Sequence, residues 1–69
     1  MKILFRERLS QLRKEKGLTQ LDLATILNTT QRRISYLEQG KVEPDLSTLV
    51  ALAHYFEVST DYLIGIKEY

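Results

Sequence analysis

Residues 18–41 read LTQLDLATILNTTQRRISYLEQGK. Thr19 is suited to cap a helix, with Asp22 three residues on to return the bond. Leu23, Ala24 and Leu27 recur at helical spacing and form the inner stripe of that helix. Asn28 can stop it, because Asn tolerates positive φ better than most non-glycine residues. Thr30 then caps a helix over 31–39, which Gly40 ends. Only Asn28, Thr29 and Thr30 lie between the two helices. A connection this short forces a sharp corner rather than a long antiparallel hairpin. Ala24 suits the corner, since a small side chain lets two helices approach closely.

The second of these helices has two sides of different chemistry. Ile34 and Leu37, at i and i+3, are its only aliphatic residues and are expected to face inward. The opposite arc holds Gln31, Arg32, Ser35, Tyr36 and Gln39. Gln can pair with N6 and N7 of adenine, and Arg with O6 and N7 of guanine, each through two hydrogen bonds. Ser reads several base edges weakly, and Tyr can stack on a thymine methyl or reach a phosphate. A polar helix face is usually only solvated. Gln31-Arg32-Arg33 with no acid before Glu38 is unusual for that role.

Three further helices complete the pattern. The first runs from about Leu4 to Lys16, with Phe5, Leu9 and Leu12 on one face. Lys14 and Lys16 suit its negative C-terminal end, and Gly17 can take the left-handed capping conformation. Asp45 caps a fourth helix reaching about Phe56, with Leu49, Val50, Ala53 and Phe56 as its apolar stripe. Ser59 caps a short fifth helix that ends before Gly65. No useful length alternates with period two, so the fold class is all-α, a five-helix bundle in a single domain over 1–69.

Composition narrows the function. The chain has 69 residues, no Cys and one His, His54. A chain of this size buries only about 60% of its unfolded surface. Disulfides and thiolate zinc are excluded, and a lone His lacks a metal-binding companion. No catalytic triad, phosphate-binding glycine loop or supported carboxylate pair is present, so neither an enzyme nor a cofactor is expected. No run of about 18 apolar residues could span a membrane. MKILFRERLSQ meets charge too soon for a signal peptide. These features lead to the expectation of a cytoplasmic protein.

Net charge is only +1, but it is unevenly distributed. Residues 1–41 hold nine Lys or Arg against Glu7, Glu15, Asp22 and Glu38, a net of +5. Residues 42–69 hold Lys67 against Glu43, Asp45, Glu57, Asp61 and Glu68, a net of −4. Such a polarity would orient the chain on a polyanion, although chance can also produce it in so short a sequence.

Leu18-Thr19-Gln20, Leu23-Ala24, Thr30, Ile34-Ser35, Leu37-Glu38, Gly40-Lys41, Pro44, Leu49, Ala53, Val58-Ser59, Tyr62-Leu63 and Gly65 occur in a characteristic order. In this they resemble the phage Cro/C1-repressor (XRE) family of helix-turn-helix domains, over about residues 6–65. The resemblance implies a motif at about 20–39 whose second helix lies in the major groove of double-stranded DNA. It implies base contacts from Gln31, Arg32, Ser35 and Tyr36, and phosphate contacts from Gln20, Thr30, Arg33, Gln39, Gly40 and Lys41. It also implies an ion pair between Arg13 and Glu38. The corner residue is Asn28 where the family usually has Gly. The loop Val42-Glu43-Pro44-Asp45 is acidic where some relatives carry basic phosphate contacts.

Tyr62, Leu63, Ile64 and Ile66 give the C-terminal segment 62–69 more apolar surface than a short helix is expected to bury. Two readings follow. They form a self-complementary homodimer contact, or the tail folds back on the first helix and covers Ile3 and Phe5. Tyr55, Tyr62 and Tyr69 lie in the acidic half, and are expected in the core or an interface. The functional expectation is a dimeric transcriptional regulator, a repressor reading a pseudo-palindromic operator. An antitoxin whose acidic half binds a basic toxin protein, and a restriction–modification controller protein, remain open beside it.

Overall fold

The Thr19 hydroxyl accepts a hydrogen bond from the Asp22 N–H at 3.0 Å, and the Asp22 carboxylate accepts from the Thr19 N–H at 2.9 Å. This reciprocal pair satisfies two donors that a helix start leaves open. The Thr19 backbone bond, with the hydroxyl bond behind it, holds the Asp22 carboxyl below the usual aspartate range. In the computed structural model, which describes residues 3–66, the pair opens the second of five helices. These are α1 (Phe5–Glu15), α2 (Gln20–Ile26), α3 (Gln31–Gln39), α4 (Leu46–Phe56) and α5 (Thr60–Ile64). Thr30, Asp45 and Ser59 cap α3, α4 and α5 as expected. Only α1 lacks a side-chain cap; the N–H of its N-cap residue, Leu4, bonds the Ile64 carbonyl at 2.9 Å.

The helix ends follow the sequence at four places, the first being Gly17 after α1 with φ 69°, and depart from it at one. Asn28 takes the left-handed conformation after α2 with φ 56°, and Gly40 and Gly65 end α3 and α5. After α4 that conformation falls on Glu57, with φ 57°. There the Val58 N–H closes on the Ala53 carbonyl at 3.0 Å. Nothing in the residue type signals this turn.

The core draws on every helix. Leu9, Leu23, Ile34, Leu37, Leu52 and Leu63 are fully buried. Each such side chain contributes roughly 1.5–3 kcal/mol through removal from water. Phe5, Leu12, Ala24, Ala53 and Phe56 close around them. The expected stripe of α4 needs correction. Val50 is 51% exposed, and Leu52 takes the inward position instead. Leu49, Leu52, Ala53 and Phe56 stand at i, i+3, i+4 and i+7, a tighter stripe than the one expected.

Arg8 is buried among these apolar residues. Its guanidinium stacks over the Tyr62 ring at 4.1 Å and donates to the Tyr62 carbonyl. It thus fastens α5 to α1. Residues 62–64 are largely absorbed by the domain itself. Leu63 fills the core, Tyr62 and Ile64 are half-buried, and Phe5 is covered. Ile3 and Ile66 stay 68% and 48% exposed. Leu63 is therefore corrected from the expected dimer contact to a core residue. Lys67, Glu68 and Tyr69 lie outside the described residues. No described helix is long and apolar enough to cross a membrane.

A non-glycine residue in the left-handed region costs about 1–2 kcal/mol. Glycine relieves that cost and returns roughly half of it as unfolded-chain entropy. Glu57→Gly is expected to raise stability by up to about 1 kcal/mol. A urea melt would read this as a higher midpoint, and an unchanged or lower midpoint would contradict it.

Candidate nucleic-acid interface

The orientation of α3 is set by one carboxylate. Glu38 accepts from Arg13 Nε at 2.7 Å and from Arg13 Nη2 at 3.1 Å, a two-pronged contact. Its Oε1 also accepts from the Gln20 amide at 3.2 Å. Arg13 Nη1 donates to the Leu18 carbonyl at 2.8 Å. One network therefore joins α1, the α1–α2 loop, the first residue of α2 and the last turn of α3. The Arg13 and Glu38 side chains are only 12% and 7% exposed. Hydrogen bonding to Glu38, reinforced by its charge, raises the Arg13 pKa against the opposing effect of burial.

With Glu38, Ile34 and Leu37 held inward, the opposite side of α3 faces solvent. Gln31 and Arg32 at its start are exposed, and neither makes a side-chain hydrogen bond among the described residues. Ser35 and Tyr36 are half-buried beside them. Gln39 donates to the Ser35 hydroxyl at 2.6 Å, which ties the last turn of the arc to the middle. The Lys41 ammonium lies over the Tyr36 ring at 5.3 Å, just past Gly40. The Thr30 hydroxyl accepts from the Arg33 N–H at 3.2 Å and starts the helix.

Two residues expected at phosphates also make contacts within the protein. Arg33 turns towards α4, where its guanidinium lies 3.6 Å from Asp45 and 3.4 Å from the Thr48 hydroxyl. Hydrogen bonds from Thr48, with the Arg33 charge adding to them, hold the Asp45 carboxyl below its usual range. In this position Arg33 links α3 to the start of α4. Gln20 gives one amide proton to Glu38 and keeps the other for a second acceptor.

The corner is as short as the sequence requires. The Thr29 N–H reaches back to the Ala24 carbonyl at 2.9 Å, and Ala24 is buried where α2 meets α3. A chain with this corner, this inward side and this outward arc can present one polar helix to a groove. The sequence profile of the helix-turn-helix family matches residues 9–63. The chain belongs to that family.

This helix-turn-helix chain is 43% identical over 61 residues to a prophage-derived HTH-type transcriptional regulator, YonR, of Bacillus subtilis (strain 168). That alignment covers 88% of this chain and 56% of YonR. It is 39% identical over 62 residues to the HTH-type transcriptional regulator ImmR of the same organism, covering 90% of this chain and 49% of ImmR. The chain thus spans about half the length of these relatives. Among solved structures, a transcriptional regulator from Listeria innocua superposes with a TM-score of 0.89 at 40% identity, over 94% of this chain and 61% of that one. The P22 c2 repressor, solved in complex with a synthetic operator, superposes with a TM-score of 0.84 at 28% identity, over 91% of this chain and 96% of that one. The Cro/C1-type likeness read from the sequence thus holds through the fold.

Removing one member of a buried ion pair leaves the other charge uncompensated, a loss of about 3–5 kcal/mol. Glu38→Ala is therefore expected to lower stability by about that amount. Thermal denaturation followed by circular dichroism checks this, and an unaltered melting temperature would remove the network from its structural role.

Proposed function

We propose that this chain is a sequence-specific double-stranded DNA-binding domain of a transcriptional repressor, working as a homodimer in the cytoplasm. The observation that carries the reading is the pair Gln31 and Arg32, exposed at the start of α3 over a buried Ile34–Leu37 side. In this reading α3 lies in the major groove, and Gln31, Arg32, Ser35 and Tyr36 address base edges. Gln20, Thr30, Gln39, Gly40 and Lys41 hold the sugar-phosphate backbone on either side. Family membership and the likeness to the operator-bound P22 c2 repressor support it. Occupancy of an operator overlapping a promoter would then exclude polymerase.

Selection of bound sites from random duplexes tests the reading directly. A defined motif is expected, and recovery of unenriched sequence would overturn it. Arg32→Ala should cost roughly 1–3 kcal/mol on the selected site and relax preference at one base pair. An unchanged motif in that variant would remove Arg32 from the base-reading set.

A single short helix reads few bases, so one copy discriminates poorly against competing sites. Two copies with recognition helices about 34 Å apart read a pseudo-palindrome. Ile66, with Ile64 and Tyr62 beside it, is the part of the expected contact that retains accessible surface. Ile66→Asp should leave the fold intact and give a monomer in sedimentation at micromolar concentration. Leu63→Asp should unfold the domain instead, because that side chain is fully buried. A wild-type protein that stays monomeric, alone and on DNA, would rule the dimer out.

A further inference from the structure

We propose that Arg6, on α1, is a DNA phosphate contact that extends the interface beyond the helix-turn-helix motif. This rests on the proposed DNA-binding reading. Arg6 is exposed on the first turn of α1, 33 residues from Gln39 in sequence. Its guanidinium nevertheless lies at the C-terminal end of α3, where Nη1 donates to the Gln39 carbonyl at 3.4 Å. Its approach depends on Gly40. A Cβ there would come within 2.9 Å of Arg6 Nη1 and 3.1 Å of Cδ. The missing side chain leaves a seat for the arginine on the last turn of α3.

That seat adjoins the residues proposed to hold phosphate. Gln39 supplies the carbonyl, Gly40 the surface, and Lys41 follows with its ammonium over Tyr36. Arg6 and Lys41 thus bring two cations to one end of the recognition helix. The loop that continues from Lys41, Val42-Glu43-Pro44-Asp45, offers no cation and two acids. A guanidinium has five N–H donors in a rigid fork. The bond to Gln39 is the only side-chain hydrogen bond Arg6 makes among the described residues, and it uses one donor. The others remain to meet a phosphate, for which the fork geometry is well matched. In the free protein the same contact sets the cation against the negative end of the α3 dipole, which holds the side chain in place.

The test separates a phosphate contact from a helix cap. Binding of fluorescein-labelled duplexes, one carrying the selected site and one of random sequence, is followed by anisotropy through a KCl titration. Arg6→Gln is expected to weaken both duplexes by the same factor. It should reduce the slope of log K against log salt by about 0.9 for each copy bound. Arg6→Lys, which keeps the charge, should retain the wild-type slope. A wild-type slope in Arg6→Gln, with or without a lowered melting temperature, would reduce Arg6 to a cap of α3 and overturn this inference alone. Wild-type protein that binds neither duplex would overturn the DNA-binding reading as well.

Discussion

The Glu38 carboxylate is the point on which the orientation of α3 depends. It stands on α3 and is reached by a guanidinium from α1 and an amide from α2. A buried carboxylate left without donors is far costlier than one fully bonded. Only arrangements that bring all three helices together satisfy it, so the network selects one rotation of α3 about its own axis. That rotation turns Ile34 and Leu37 into the core and Gln31 and Arg32 out. The proposed readout surface is thus a consequence of how a charge is satisfied on the other side of the same helix.

Around this point the apolar core supplies cohesion without direction. One or two fully buried aliphatic residues from each helix meet at the centre. The directional contacts involve cations from α1 and α3. Arg8 clamps α5, Arg13 clamps α3, and Arg33 links α3 to the start of α4. Arg6 lies against the end of α3. Part of the positive charge in the first 41 residues is therefore structural. The net charge of that half overstates what is left to attract DNA, because Arg8 and Arg13 are largely withdrawn from solvent.

The exposed apolar residues define surfaces that the domain itself does not use. Ile3 and Ile66 flank the junction of α1 and α5, while Leu46 and Val50 stand on the outer side of α4. The close approach at Gly65, where a Cβ would lie 2.9 Å from Leu4, brings the end of α5 against the start of α1. This packing consumes much of the apolar surplus expected of residues 62–66.

The sequence by itself determined where the helices start and stop, with one exception. Caps at Thr19, Thr30, Asp45 and Ser59 are bonds between residues three apart, so local chemistry specifies them whatever the rest of the chain does. The inward and outward sides of α3 were legible for a similar reason, since two aliphatics at i and i+3 admit one apolar side. Tertiary structure alone decided which side of α4 is buried, because LSTLVALAHYF is apolar nearly all round and periodicity cannot choose. It also decided the fate of Arg6, Arg8 and Arg33. Arg8 occupies the i+3 place in the Phe5–Leu9–Leu12 stripe, a signal of burial that its charge obscured. A long flexible cation carries no local instruction about its partner. Tyr62, Asp45 and the end of α3 became partners of these arginines only when distant helices met.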